Sequence, residues 1–251
     1  MTQRPNFILF VTDQHRADFL GCMGHPVLQT PNIDAMAAKG TVWDRFYVAS
    51  PVCMPNRASL MTCRMPSSHD VRCNGISLDK RNVTFVELLR DAGYRTALIG
   101  KSHLQNNSGK PPMLKTPAAR DGYHKAVGAL AEGVRQNLPE HIEDEKNPAT
   151  INTPYFGFDH VELATGHGDR LAGHYRSWLM EKEPNADDMI GAENQLPHDY
   201  ACPQAVRTAL PEDLYPSAWI ADRAVSWIEE RTPSETKARR PVPQSSSPRG
   251  P

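Results

Sequence analysis

The sequence predicts an α/β fold whose central sheet is largely parallel and flanked by helices. Three observations predict it. Residues 6–12 (NFILFVT) and 94–100 (YRTALIG) are apolar runs of strand length, continuous rather than alternating, as strands buried on both faces are. Segments with helix caps, apolar stripes and glycine stops lie between and after them. The resulting order of strand, helix, strand, helix, strand is the signature of a parallel sheet with crossover helices.

Each element has its own signal. After the first run, Thr30-Pro31 opens a helix with a cap and a proline at the first position, Ile33, Met36 and Ala37 form its stripe, and Gly40 stops it. Thr84-Phe-Val-Glu87 is a capping box, followed by the stripe Phe85, Leu88, Leu89 and Ala92 and the stop Gly93. The second run follows at once. Residues 105–155, rich in Asn, Gly, Lys and Pro, read as long loops with short helices at most. Residues 156–163 resemble another strand, and residues 216–231 a last helix with Ile220, Ala224, Val225, Trp227 and Ile228 inward. Residues 232–251 hold five prolines and four cationic residues, with only Ala238 and Val242 apolar. Such a segment cannot offset the entropy of ordering. The expected organisation is one domain over residues 1–231 and a disordered tail over 232–251.

Composition excludes several classes. Lys and Arg number 28 against 29 Asp and Glu, a formal charge of -1, which gives no reason to expect nucleic acid or an anionic membrane as partner. The apolar runs are too short to span a bilayer. Five cysteines in 251 residues are not a disulfide scaffold. With neither a secretory apolar region nor a cleavage site after Met1, the expected location is the cytoplasm.

Chemistry is expected at strand ends, where open α/β sheets place their sites. Asp13 and Gln14 follow the first run and offer a carboxylate and an amide oxygen, donors suited to a hard cation. Cys53 precedes a short helical segment with Arg57 one turn further on, so an anion there would meet free N–H groups and a guanidinium. Three residues between Cys53 and Arg57 are too few for a phosphate-cradling Cys-x5-Arg loop. The Cys22/His25 pair lacks a partner pair at zinc-finger spacing. Lys101 and His103 end the second run. Extended backbone would point both to one side, where a cation and an imidazole bind an oxyanion and move a proton.

These pieces together resemble the N-terminal part of the type I sulfatases, in the alkaline-phosphatase-like superfamily. The resemblance rests on Pro5-Asn-Phe-Ile-Leu-Phe-Val-Thr-Asp13-Gln14, Thr30-Pro-Asn-Ile-Asp34, Cys53-x-Pro55-x-Arg57 and Gly93-Tyr-Arg-Thr-Ala-Leu-Ile-Gly-Lys101-x-His103-Leu, strongest over residues 5–104. Gly157-Phe-Asp159 and the segment 219–231 continue it more weakly. It implies a sulfuric ester hydrolase in which a formylglycine-generating enzyme oxidises Cys53 to an aldehyde that hydrates to a diol. One diol oxygen attacks the sulfur of a sulfate ester, and the other expels sulfate as the aldehyde re-forms. It also implies a divalent ion, Ca²⁺ first, with Mg²⁺ or Mn²⁺ as alternatives, on Asp13, Gln14 and the modified Cys53. Arg57 would steady the diol, Lys101 contact the sulfate, and His103 assist at the diol.

The sequence departs from the family at three places. Gln14 stands where many members carry a second Asp, which resembles the branch of phosphonate and phosphodiester monoester hydrolases. The motif after Cys53 continues as Met61-Thr62-Cys63-Arg64 in place of Leu-Thr-Gly-Arg. The later metal-binding blocks of the family have no counterpart here, and Asp159-His160, inside a strand-like run, reads as structural. The expectation is a truncated sulfatase, weakly active or inactive alone. The alternatives are a phosphonate or phosphodiester hydrolase, and a non-catalytic fragment.

Overall fold

A computed structural model describes residues 4–105, 145–202 and 205–231. The expected tail and most of the 105–155 loop region lie outside these residues. The chain forms two compact units, one up to Val48 and one from Ala49 onward.

In the first unit, helix α1 spans Pro31–Lys39 between Thr30 and Gly40, as its start and stop residues predict. Asp34 holds the turn before it, accepting the Cys22 N–H at 2.8 Å and the Thr30 hydroxyl at 2.8 Å. The predicted stripe is not covered, however: Ile33 is 39% exposed and Met36 62%. The predicted strand at 6–12 is a correction. Those residues form no strand, and Phe7 to Val11 are 47–77% exposed. An apolar run becomes a buried strand only when neighbouring backbones supply its hydrogen bonds and side chains cover its faces. The sheet of the described residues includes no partner for it.

The second unit is built on a three-stranded sheet ordered β1 (Ala97–Gly100), β2 (His160–His167), β3 (Arg170–Gly173). β1 pairs with β2 in parallel, Ala97 opposite His160. β2 pairs antiparallel with β3 through a two-residue turn whose Gly168 has φ +61°. Residues 161–165 are all buried, as expected of a central strand. Val161 and Leu163 join Met54, Val86 and Tyr155 in one apolar cluster, whereas Ala164 joins Tyr175, Leu179 and Trp219 in another. The 156–163 reading set this strand four residues too early. Phe156 and Gly157 form a tight turn instead, and a Cβ on Gly157 would lie 2.5 Å from the Glu87 backbone nitrogen.

Helices α2 (Cys53–Thr62), α3 (Pro66–His69), α4 (Phe85–Asp91), α5 (His174–Lys182) and α6 (Pro216–Arg231) complete the second unit. The capping box of α4 is present in full, with Thr84 accepting from the Glu87 N–H and Glu87 accepting from the Thr84 N–H. Its buried residue is Val86, not the predicted Leu88, which is 61% exposed. In α6 the buried anchor is Trp219, while Val225 and Ile228 are exposed. Arg223 of α6 makes a two-pronged ion pair with the buried Glu162 of β2, which also accepts from His160. Asp159 precedes β2 and pairs with Arg90 at 2.7 Å, the structural part expected of it.

Candidate functional site

Helix α2 begins at Cys53 itself, with extended Val52 as its cap. One face of this helix is anchored in the core by Met54, Ala58 and Met61, which leaves the first turn to present Cys53 half-buried. Asn74, in the turn after α3, clasps that start. Its Oδ1 accepts from the Met54 N–H at 3.0 Å and its Nδ2 lies 3.8 Å from Cys53 Sγ.

Arg57 lies one helical turn on from Cys53, on the same side. Its Nη1 donates to the Lys101 carbonyl at 2.6 Å, tying α2 to the segment that leaves β1. Lys101 Nζ lies 3.0 Å from His167 Nε2, and a ring nitrogen of His167 lies within 4.8 Å of Cys53 Sγ. The second unit therefore gathers a sulfur, a guanidinium, an ammonium, an imidazole and a carboxamide where β1 and β2 end. Arg57 and Lys101 give the group a positive balance suited to an anion, and the His167 ring nitrogen lies beside that ammonium.

His103 enters differently from the expectation. β1 stops at Gly100 (φ +112°) and His103 has φ +57°, so extended alternation does not run from Lys101 to His103. The backbone curls after Lys101. Beyond Ser102, three consecutive N–H groups, of His103, Leu104 and Gln105, all donate to the carboxylate of Glu145.

Asp13 and Gln14 belong to the first unit, in an exposed bend where Gln14 has φ +53°. A carboxylate and an amide oxygen are the donor type of a hard cation, while calcium takes roughly six to eight oxygens. These two residues fit such an ion in kind and supply part of its shell.

The sequence missed Asn74, His167 and Glu145. Asn74-Gly75 carries a turn signal that says nothing of Cys53. His167 would have been found by the strand-end rule had β2 been placed correctly. Glu145 has no local signal at all, because the backbone N–H groups it accepts from are about forty residues away.

A family model described as Sulfatase matches residues 5–195. The chain is 27% identical to an arylsulfatase of Clostridium perfringens over 92% of its own length and 41% of that protein's. It is 37% identical to an N-acetylglucosamine-6-O-sulfatase of Bacteroides thetaiotaomicron over 41% of its length and 18% of that protein's. It thus spans well under half of either relative. Among solved structures it is similar to the phosphonate monoester hydrolase of Agrobacterium radiobacter, with a TM-score of 0.59 and 24% identity over 92% of this chain and 39% of that one. The likeness shows a shared α/β fold.

Proposed function

Since the chain belongs to the sulfatase family, we propose that it carries the nucleophile and part of the anion site of a sulfate-ester hydrolase. One observation carries the reading: Cys53 opens a helix beside the Lys101–His167 pair, with Arg57 braced on the Lys101 backbone. Oxidation of Cys53 to formylglycine by a formylglycine-generating enzyme would supply a hydrated aldehyde, with one oxygen to attack and a second to expel sulfate, a release route that a thiol lacks. A divalent ion, Ca²⁺ by preference over Mg²⁺ or Mn²⁺, would be held by Asp13, Gln14 and the modified residue 53, and would draw charge from the transferring group.

The chain's own residues bind and orient. Lys101 and Arg57 neutralise the tetrahedral sulfate, and that charge matters most when the leaving oxygen becomes anionic. His103 holds or returns a proton at the diol. Asn74 keeps residue 53 at the helix start by bonding the next N–H. Asp13, Gln14 and residue 53 are fewer ligands than calcium takes, so these residues alone bind it weakly and turnover by them alone is low.

A second reading, hydrolysis of phosphonate or phosphodiester monoesters, is favoured by Gln14, whose neutral amide leaves the metal environment less negative than a second Asp would. Co-expression with a formylglycine-generating enzyme tests both. The expected result is an aldehyde at position 53, detected by hydrazide capture and peptide mass, and faster turnover of an aryl sulfate than of a phosphonate monoester. A reversed preference selects the second reading. An unmodified thiol sinks both and leaves a non-catalytic protein.

A further inference from the structure

Glu145 has no part in the chemistry above, yet it is fully buried, at 0% exposure. Its Oε2 accepts the His103 N–H at 2.8 Å, and its Oε1 accepts the Leu104 N–H at 2.9 Å, the Gln105 N–H at 3.1 Å and the Tyr155 hydroxyl at 2.7 Å. Three consecutive backbone N–H groups converge on one side chain. Extended backbone cannot do this, because successive N–H groups point to opposite sides. The left-handed turn at His103 makes the convergence possible, and a residue with a Cβ takes that conformation only when its surroundings impose it.

Glu145 is itself fixed from behind. Its carbonyl accepts the Thr165 hydroxyl of β2 at 3.3 Å, and the next carbonyl, of Lys146, accepts the Gly173 N–H at 3.2 Å. Gly173 (φ +80°) permits that approach, since a Cβ there would stand 3.2 Å from the Glu145 oxygen and 2.6 Å from the Leu163 oxygen. The carboxylate thus links the rigid β2–β3 hairpin to the strand end bearing Lys101 and His103. Arg57 fastens that strand end at residue 101, and Glu145 fastens it at residues 103–105.

We infer that Glu145 is a positioning residue, which sets the backbone after β1 and through it where Lys101 and His103 point. The inference rests on the reading that these two belong to the ester-hydrolase site, but its test does not require turnover. A glutamine there keeps the size and one acceptor oxygen, while its amide N–H₂ opposes a backbone donor. In Glu145→Gln, amide exchange at residues 103–105 should quicken about tenfold, the effect of leaving one buried donor unsatisfied. The amides of residues 161–165 in β2 should keep their protection. Lys101, its contact with His167 loosened, should acylate severalfold faster relative to the exposed Lys39 and Lys182. Glu145→Asp, which retains both oxygens, should restore most of the Lys101 signature.

Unchanged exchange at residues 103–105 overturns the inference, and so does unchanged Lys101 labelling once those amides have opened. If Glu145→Gln loses protection throughout β2, Glu145→Asp is judged by the same measures, and β2 loss in both makes Glu145 a folding residue only. The expected pattern in a protein whose Cys53 is never converted would leave the positioning role standing and remove the hydrolase.

Discussion

Among the described residues up to 48 none is buried, whereas the unit from Ala49 onward encloses two apolar clusters. Both stretches carry sequence signals of similar clarity, so the difference lies in what each signal needs. Helix α1 forms with its stripe exposed because an α-helix closes its hydrogen bonds within itself, and Pro31 and Gly40 mark its ends. The run 6–12 is as apolar as any strand in the chain, and stays irregular because a strand closes its bonds on a neighbour. Local chemistry writes helices; only tertiary partners write strands.

The largest effect that sharpens this contrast is in the leucines. Leu163 in β2 is 0% exposed and Leu9 in the first unit is 61% exposed. Leu163→Ala should cost about 3 kcal/mol in denaturant unfolding, from lost burial and the cavity left behind. Leu9→Ala should stay within about 0.5 kcal/mol. Equal costs would mean that the 6–12 run is packed in solution, and the contrast would collapse.

Next come the two helix starts. Thr84 is buried, accepts the Glu87 N–H and donates to the Phe156 carbonyl at 2.8 Å. Thr84→Ala should therefore cost about 1–2 kcal/mol, the upper part of the range for a lost cap. Thr30 makes no side-chain cap bond to α1, and Thr30→Ala should cost about 0.5 kcal/mol through its bonds to Gly21 and Asp34. Thermal melts of the two variants check the order.

The legible parts of the site share this logic. Cys53, Arg57, Lys101 and His103 stand out in the sequence because they adjoin a helix start or a strand end, features written in consecutive residues. Asp13 and Gln14 stand out by the same rule, applied to a run that forms no strand here. The rest was illegible for physical reasons. Glu145 acts on N–H groups forty residues back, and nothing in a polar loop reports that. His167 depends on where β2 ends, and an apolar run fixes the existence of a strand better than its limits. The curl at His103 is imposed by Glu145, so it could not be read from the 101–105 segment itself.

The smallest effect concerns His69, buried, and His174, half-buried, in the second unit, whereas no described histidine of the first unit is buried. His174 Nδ1 accepts the Leu163 N–H at 3.0 Å, and burial pushes its pKa down despite the carboxylate of Glu162 nearby. His69 bonds Ser59 at 2.9 Å and accepts the Val71 N–H, and burial again depresses it. Protonation at either accepting nitrogen would set a proton against a backbone donor. With folded pKa values below the unfolded value of about 6.5, the unfolded chain takes up more protons as pH falls. Their stabilising contribution is therefore complete above about pH 6.5 and is lost as pH drops through the folded values. Glu162 acts in a lower window. Burial raises its pKa, the bonds from Arg223 and His160 outweigh that and lower it, and its contribution fades only below about pH 4.3. Unfolding free energy measured between about pH 5 and 7 should rise with pH, by at most about 1.4 kcal/mol per unit for each histidine. His174→Gln and His69→Gln should each flatten that slope by one proton at most. A slope that neither variant flattens would place the acid sensitivity outside these two side chains and remove the contrast.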